Sequence, residues 1–261
     1  MRFKITLRPI GQGQQVLPIN YQHPLASWIY KTIAGGNAQY AQWLHENGFK
    51  ERDKRFKMFC FSNLSTPNAR VEGDRLYLSG ADSTFVLSFL PQRSTEEFVK
   101  GLFSQQEFEL GDRNSRARLN VNTIEMVQEP EFGTEMEFEC MSPLTVSAFR
   151  TDQSKEYLAP HDPRYANAII ENLATKHTAY YGTAPERITD EKFELLGQPK
   201  MKGVFINKSG LNKPIKVIGY KYRFRLKASA QLLRIGYQTG FGELNSMGFG
   251  CVGEKEKKKA G

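Results

Sequence analysis

The chain opens on strict alternation: Arg2, Lys4 and Thr6 are polar, while Phe3, Ile5 and Leu7 are apolar. A period of two puts alternate side chains on opposite faces, so Arg2 to Pro9 reads as a half-buried strand. After Pro24, which suits a first helical position, Leu25, Trp28, Ile29 and Ile33 recur at helical spacing. Gly35-Gly36 is expected to stop that helix. Tyr40, Trp43 and Leu44 stripe a short helix over about 38–46, with Gly48 as its cap. Residues 57–64 and 75–79 read as strands around a turn. Ser94 with Glu97 three residues on is a capping box that opens a third helix.

Glu129-Pro130-Glu131-Phe132-Gly133 breaks the pattern and divides the chain into expected domains at 1–130 and 131–261. Beyond it, 135–149 reads as a strand interrupted at Pro143. Asp162-Pro163 caps a helix through about His177, striped by Ala166, Ile169, Ile170 and Leu173. Strands follow near 188–195, 203–206 and 215–228, then a short helix over about 229–238 and a glycine-rich hairpin. Each half runs strand, helix, strands, helix, strand. That order predicts an α+β protein of two tandem ferredoxin-like, RRM-like domains, each a four-stranded antiparallel sheet with two helices on one face.

Composition bounds the class. The 261 residues include 18 Phe, 11 Tyr and 2 Trp, enough for a core, which excludes a disordered chain. No apolar run approaches the roughly 20 residues that cross a bilayer, and the first strand lacks a signal-peptide core, so a cytoplasmic protein is expected. Cys60, Cys140 and Cys251 are odd in number and far apart, and read as buried small hydrophobes. The chain has no HExxH, paired DxD or Cys/His cluster, which disfavours a metal nuclease; no cofactor is expected.

The net charge of +8 is uneven. Residues 200–261 hold 14 Lys/Arg against 3 acids. Glu254 to Lys259 reads as a frayed tail. In Tyr220 to Lys227 every second residue is cationic, so Lys221, Arg223, Arg225 and Lys227 share one face of a strand. Few acids lie nearby in sequence, which points to a nucleic-acid-facing sheet; a solvated face salted by neighbouring acids is the other reading. Lys50, Arg52 and Lys54, with Arg55 and Lys57, form a second basic stretch suited to a phosphate backbone.

Residues 240–250 hold two Gly-Phe-Gly triplets. Glycine lets a backbone approach a phosphate closely, so Gly240, Gly242, Asn245, Ser246, Gly248 and Gly250 are candidate RNA contacts. The segment follows a helix and lacks the Lys-Ser/Thr of a nucleotide P-loop, and a purely structural turn is the plainer alternative.

The order helix, Gly-Phe-Gly, Asn-Ser, Gly-Phe-Gly resembles the signature loop of the CRISPR-associated repeat-processing endoribonucleases, the "Cas-six" family of the repeat-associated RNA-binding superfamily. Met1 to Pro9, Leu17 to Tyr21 and Met141 to Leu144 also resemble that family's segments. The resemblance implies cleavage of CRISPR repeat RNA, without a metal, into mature guide RNAs. The ribose 2′-hydroxyl attacks the adjacent phosphate and leaves 2′,3′-cyclic phosphate and 5′-hydroxyl ends. It implies catalytic roles for Tyr30, His45 and Lys57, with Lys50 and Lys54 competing for the lysine's place. Helical spacing puts Tyr30 and His45 off their apolar stripes, and an imidazole with a pKa of about 6.5 serves as acid or base. His23, His161 and His177 have no match. Implied partners are the repeat RNA and other subunits of a CRISPR effector complex, with the chain as monomer or homodimer. The alternative is a non-catalytic RNA-binding subunit of the same fold.

Overall fold

The computed structural model describes residues 1–206 and 214–255, so the tail read as frayed lies outside the described residues from Glu256 on. In chain order the elements are β1 (Arg2–Pro9), β2 (Val16–Pro18), α1 (Gln22–Gly36), α2 (Ala38–Glu46), β3 (Phe49–Glu51), β4 (Lys54–Phe56), β5 (Phe59–Phe61), β6 (Arg70–Glu72), β7 (Arg75–Tyr77), β8 (Ser83–Phe89), α3 (Gln92–Ser104), β9 (Glu107–Gly111) and β10 (Arg116–Met126). Then come β11 (Glu135–Cys140), β12 (Ser147–Phe149), β13 (Lys155–Tyr157), α4 (Tyr165–Tyr181), β14 (Lys192–Ile206), β15 (Ile215–Lys227), α5 (Ala230–Thr239), a 3₁₀ turn (Asn245–Met247) and β16 (Val252–Glu254). No described helix is long and apolar enough to cross a membrane.

The chain forms two compact units. One holds Met1–Gly48, Asn63–Gln128 and the described residues of 205–215; the other holds Phe49–Ser62, Glu129–Val204 and the described residues from Lys216. Phe49–Ser62, which precedes the expected boundary, therefore groups with the C-terminal part.

In the first unit the strands run in the order β8-β1-β10-β9. β1 is antiparallel to both neighbours and pairs Ile5 with Phe85 and Ile124. Its alternation works as the sequence predicts: Phe3, Ile5 and Leu7 are buried. Leu25, Trp28, Ile29 and Ile33 of α1 and Phe98 and Leu102 of α3 complete the core. Burying side chains of this size contributes about 1.5–3 kcal/mol each. α1 ends at Gly36, as the glycine pair predicts, and Asn37 follows it in an extended conformation (φ −156°). The same glycine pair lets α1 and α3 touch backbone to backbone. A Cβ at Gly101 would fall 1.7 Å from the Thr32 carbonyl, and one at Gly36 would fall 2.2 Å from that of Glu97. The Asn37 side chain then accepts from the Tyr40 amide at 2.9 Å and opens α2. The capping box is corrected: α3 starts behind Pro91, so Ser94 lies inside the helix, where its hydroxyl pairs with the Tyr40 hydroxyl at 2.6 Å.

The second unit runs β11-α4-β14-β15-α5-β16, with sheet order β14-β15-β11-β16, the ferredoxin-like arrangement. Phe138 of β11, Phe224 of β15 and Phe241 of the glycine segment meet with ring centroids 5.2–5.5 Å apart. α4 starts at Tyr165 and ends at Gly182, whose φ of +73° needs no Cβ. The two strands expected near 188–206 are one, β14, which carries Gly197 at φ +87°. The β3–β4 hairpin turns at Arg52 and packs Phe49 on Tyr180 of α4, with ring centroids 5.1 Å apart.

Candidate functional site

In the first unit, α1 and α2 bring Tyr30 and His45 together. The rings meet at a centroid distance of 5.1 Å and an interplanar angle of 88°. Tyr30 is half-buried and His45 is exposed. Leu25, Trp28, Ile29 and Ile33 of α1 and Tyr40 and Leu44 of α2 face inward, which leaves these two side chains at the surface where the short Asn37 joint brings the helices close. A phenol and an imidazole held this way can share a proton donor's and a proton acceptor's work on one substrate.

The second unit carries Lys57 and the basic hairpin. Lys50, Arg52 and Lys54 are exposed on and beside the hairpin turn, and Lys57 is half-buried before β5. Lys54, Lys57, Lys155 and Lys176 line a cleft of about 560 Å³, together with Phe149 and Ser246. Four ammonium-bearing side chains around one cleft suit a polyanion. Lys155 is bonded to Glu243 at 3.0 Å, and Glu243 also accepts from the Ser147 amide and hydroxyl.

The glycine segment is a turn knotted on itself rather than a hairpin. Its amides are used internally: Gly240 donates to the Gly236 carbonyl at 2.9 Å, Gly248 to that of Asn245 at 3.1 Å, and Gly250 to that of Pro143 at 2.8 Å. Gly240, Gly242, Gly248 and Gly250 are buried and have positive φ. The close approach that Gly242 and Gly250 permit is to the protein's own backbone: a Cβ at Gly242 would fall 2.3 Å from the Thr145 carbonyl, and one at Gly250 would fall 1.9 Å from that of Phe241. Asn245 is likewise turned inward. Its Nδ2 donates to the carbonyls of Phe241 and Phe249 at 3.0 and 3.1 Å, and its Oδ1 accepts from Lys176. Within this segment Ser246 is half-buried and lines the cleft.

The face of β15 is also corrected in part. Tyr222, Phe224 and Leu226 are buried, and the cations lie opposite, as alternation requires. The compensating acids arrive by strand pairing: β11 sets Glu135, Glu137 and Glu139 against Lys227, Arg225 and Arg223. Arg225 bonds Glu137 and, at 3.1 Å, Glu194, while Lys227 bonds Asp190. These carboxylates raise the Arg225 and Lys227 pKa values, in each case chiefly through the direct hydrogen bond. Among the described residues, Lys221 and Arg223 make no ion pair.

Lys176 is absent from the sequence reading although a signal exists. It follows Ile169 and Leu173 at helical spacing, so a cation occupies a place on the inward stripe of α4. It is buried, and burial pulls its pKa down to about 7. Among the described residues no group of three or more His, Cys, Asp or Glu side chains is placed to hold a metal ion.

Two family models match the chain: "CRISPR-associated protein Cas6, N-terminal" over residues 16–118 and "CRISPR associated protein Cas6, C-terminal" over residues 127–254. A CRISPR-associated endoribonuclease Cas6 of Pyrococcus furiosus is 29% identical over 268 residues, covering 100% of this chain and 93% of that protein. The CRISPR-associated endoribonuclease Cas6 1 of Methanocaldococcus jannaschii is 26% identical over 250 residues, covering 93% and 89%. The solved structure of a Cas6-related protein of Pyrococcus furiosus shares the fold, with a TM-score of 0.83 at 23% identity over 99% of both chains.

Proposed function

The chain belongs to the Cas6 family of CRISPR-associated proteins, and from that premise we propose that it is an endoribonuclease that cuts precursor CRISPR RNA within its repeats. The pairing of Tyr30 with His45 carries the reading, because it sets two proton-transfer groups edge to face at the surface. The family relatives, named endoribonucleases along nearly their whole length, support the reaction class.

The reaction needs no outside reagent. The ribose 2′-oxygen attacks the adjacent phosphorus, and its proton passes to a base. The bond from phosphorus to the 5′-oxygen breaks, and that oxygen takes a proton from an acid. The products are a 2′,3′-cyclic phosphate and a 5′-hydroxyl. His45 and Tyr30 fill the two proton-transfer roles. In the second unit, Lys57 with Lys54 and Lys155 bind RNA phosphates, and Lys50, Arg52, Lys221 and Arg223 extend the basic surface. Stabilising charge near the developing phosphorane is the general requirement these cations serve.

A repeat RNA with a single 2′-deoxyribose at the cut position tests the chemistry. It binds with unchanged affinity and is not cleaved. Cleavage of that substrate would overturn attack by the 2′-hydroxyl.

A further inference from the structure

Lys176 projects from α4 and is 1% exposed. Its Nζ donates to the Gly240 carbonyl at 2.6 Å, to the Gly242 carbonyl at 3.0 Å and to Asn245 Oδ1 at 2.7 Å. An ammonium has three donors and no acceptor, so these bonds saturate it and account for a charge kept in the interior. Asn245 passes the tie onward through Nδ2 to the Phe241 and Phe249 carbonyls. One side chain from outside the loop thus fixes both Gly-Phe-Gly arms. The cleft that Lys176 shares with Lys54, Lys57 and Lys155 opens beside it.

We propose that Lys176 is a positioning residue whose protonated amine holds the glycine turn in place as a wall of the basic cleft, and so keeps that cleft in its RNA-binding shape. The inference rests on the RNA-processing reading above. Lys176 touches no reacting atom; it acts through Gly240, Gly242 and Asn245.

A consequence follows for pH. The charged and titratable groups facing Lys176 are Lys54 of β4, Cys60 of β5 and Glu243 of the loop; Cys60 and Glu243 favour its charged form, and Lys54 opposes it. Burial dominates and brings loss of the proton down to about pH 7. A neutral amine offers two donors to three acceptors, so one buried acceptor is left unpaired and the turn loosens. RNA phosphates in the cleft favour the ammonium, so RNA binding and protonation of Lys176 reinforce each other reciprocally.

The test uses full-length protein and uncleavable 2′-deoxy repeat RNA, with Kd and melting temperature measured from pH 6 to 9. Wild-type affinity is expected to fall about tenfold more over this range than that of Lys176→Met. At pH 6 the variant binds about tenfold more weakly than wild type while keeping its circular dichroism spectrum. Equal affinity and an identical pH profile would overturn the proposal. A second measurement needs no variant: in wild type carrying ¹⁵N-labelled lysine Nζ, the titration midpoint of Lys176 rises on adding RNA. A midpoint unmoved by bound RNA would also overturn it. Wild type that binds no repeat RNA overturns the functional reading and this inference together; wild type that binds it independently of Lys176 overturns the inference alone.

Discussion

The imidazole of His45 meets the phenol of Tyr30 edge to face, with ring centroids 5.1 Å apart. A contact of this kind orients the imidazole at the surface. His45→Ala is predicted to slow single-turnover cleavage of repeat RNA by about 10²–10⁴-fold, the usual weight of a general acid or base. Its RNA affinity should stay within about threefold, which marks a loss of chemistry rather than of binding. Tyr30→Phe keeps the ring contact and removes only the hydroxyl. A loss of at least about tenfold in rate is expected, and a wild-type rate would reduce Tyr30 to a packing role.

The cations should separate by salt dependence. Lys54→Ala and Lys57→Ala each remove a charge from the cleft, and each is expected to lower the slope of log K against log salt by about 0.7. Arg225→Ala is expected to leave that slope unchanged, because the guanidinium is already bonded to Glu137 and Glu194. Filter-binding titrations over 50–300 mM salt decide it, about the range in which counterion release dominates. A slope change at Arg225 as large as at Lys54 would return the β15 face to the RNA surface.

Gly101→Ala tests the helix crossing. The new Cβ would lie 1.7 Å from the Thr32 carbonyl, so α1 and α3 must separate. Overpacking of this sort costs about 1–3 kcal/mol, with about 2–4 °C of melting temperature lost for each kcal/mol. A thermal melt reads it, and an unchanged midpoint would contradict the close packing.

Stability and pH should be linked through Lys176 with a definite sign. Its pKa is about 7 in the folded state against an ordinary 10.5. Below pH 7 both states hold the proton, and burial of the charge destabilises the fold in full. Between about 7 and 10.5 the unfolded chain holds a proton that the folded chain has shed, so stability rises with pH. Lys176→Met should lose this part of the slope when melting temperatures are compared from pH 6.5 to 9.5, about the lower part of that window. Parallel curves for the two proteins would refute it. RNA affinity runs the other way over the same range, a divergence that a merely structural lysine would not produce.

Local patterns made much of the fold legible. Alternation in β1 and β15, and the stripes of α1 and α4, depend on neighbours within a turn or two of chain. The α4 stripe also held the sign of an odd residue, since Lys176 stands where the period calls for a hydrophobe. Long-range pairing was not legible. Nothing near Arg225 in sequence announces Glu137, which the β11 register brings opposite it from 88 residues away. Nor does any local signal send Phe49 to Tyr180, the contact that ties the basic hairpin to α4. Glycine patterns carried less: Gly36 ends α1 and also makes room for α3, and the loop glycines make room for the protein's own backbone, a use that composition cannot distinguish from a phosphate cradle.

The central claim is tested most directly by incubating the protein with repeat RNA in EDTA and mapping the fragment ends. The account predicts undiminished cutting at one position in the repeat, with 2′,3′-cyclic phosphate on one fragment and 5′-hydroxyl on the other. Tight binding with no cleavage, or cleavage that leaves 5′-phosphate ends and stops in EDTA, would contradict it.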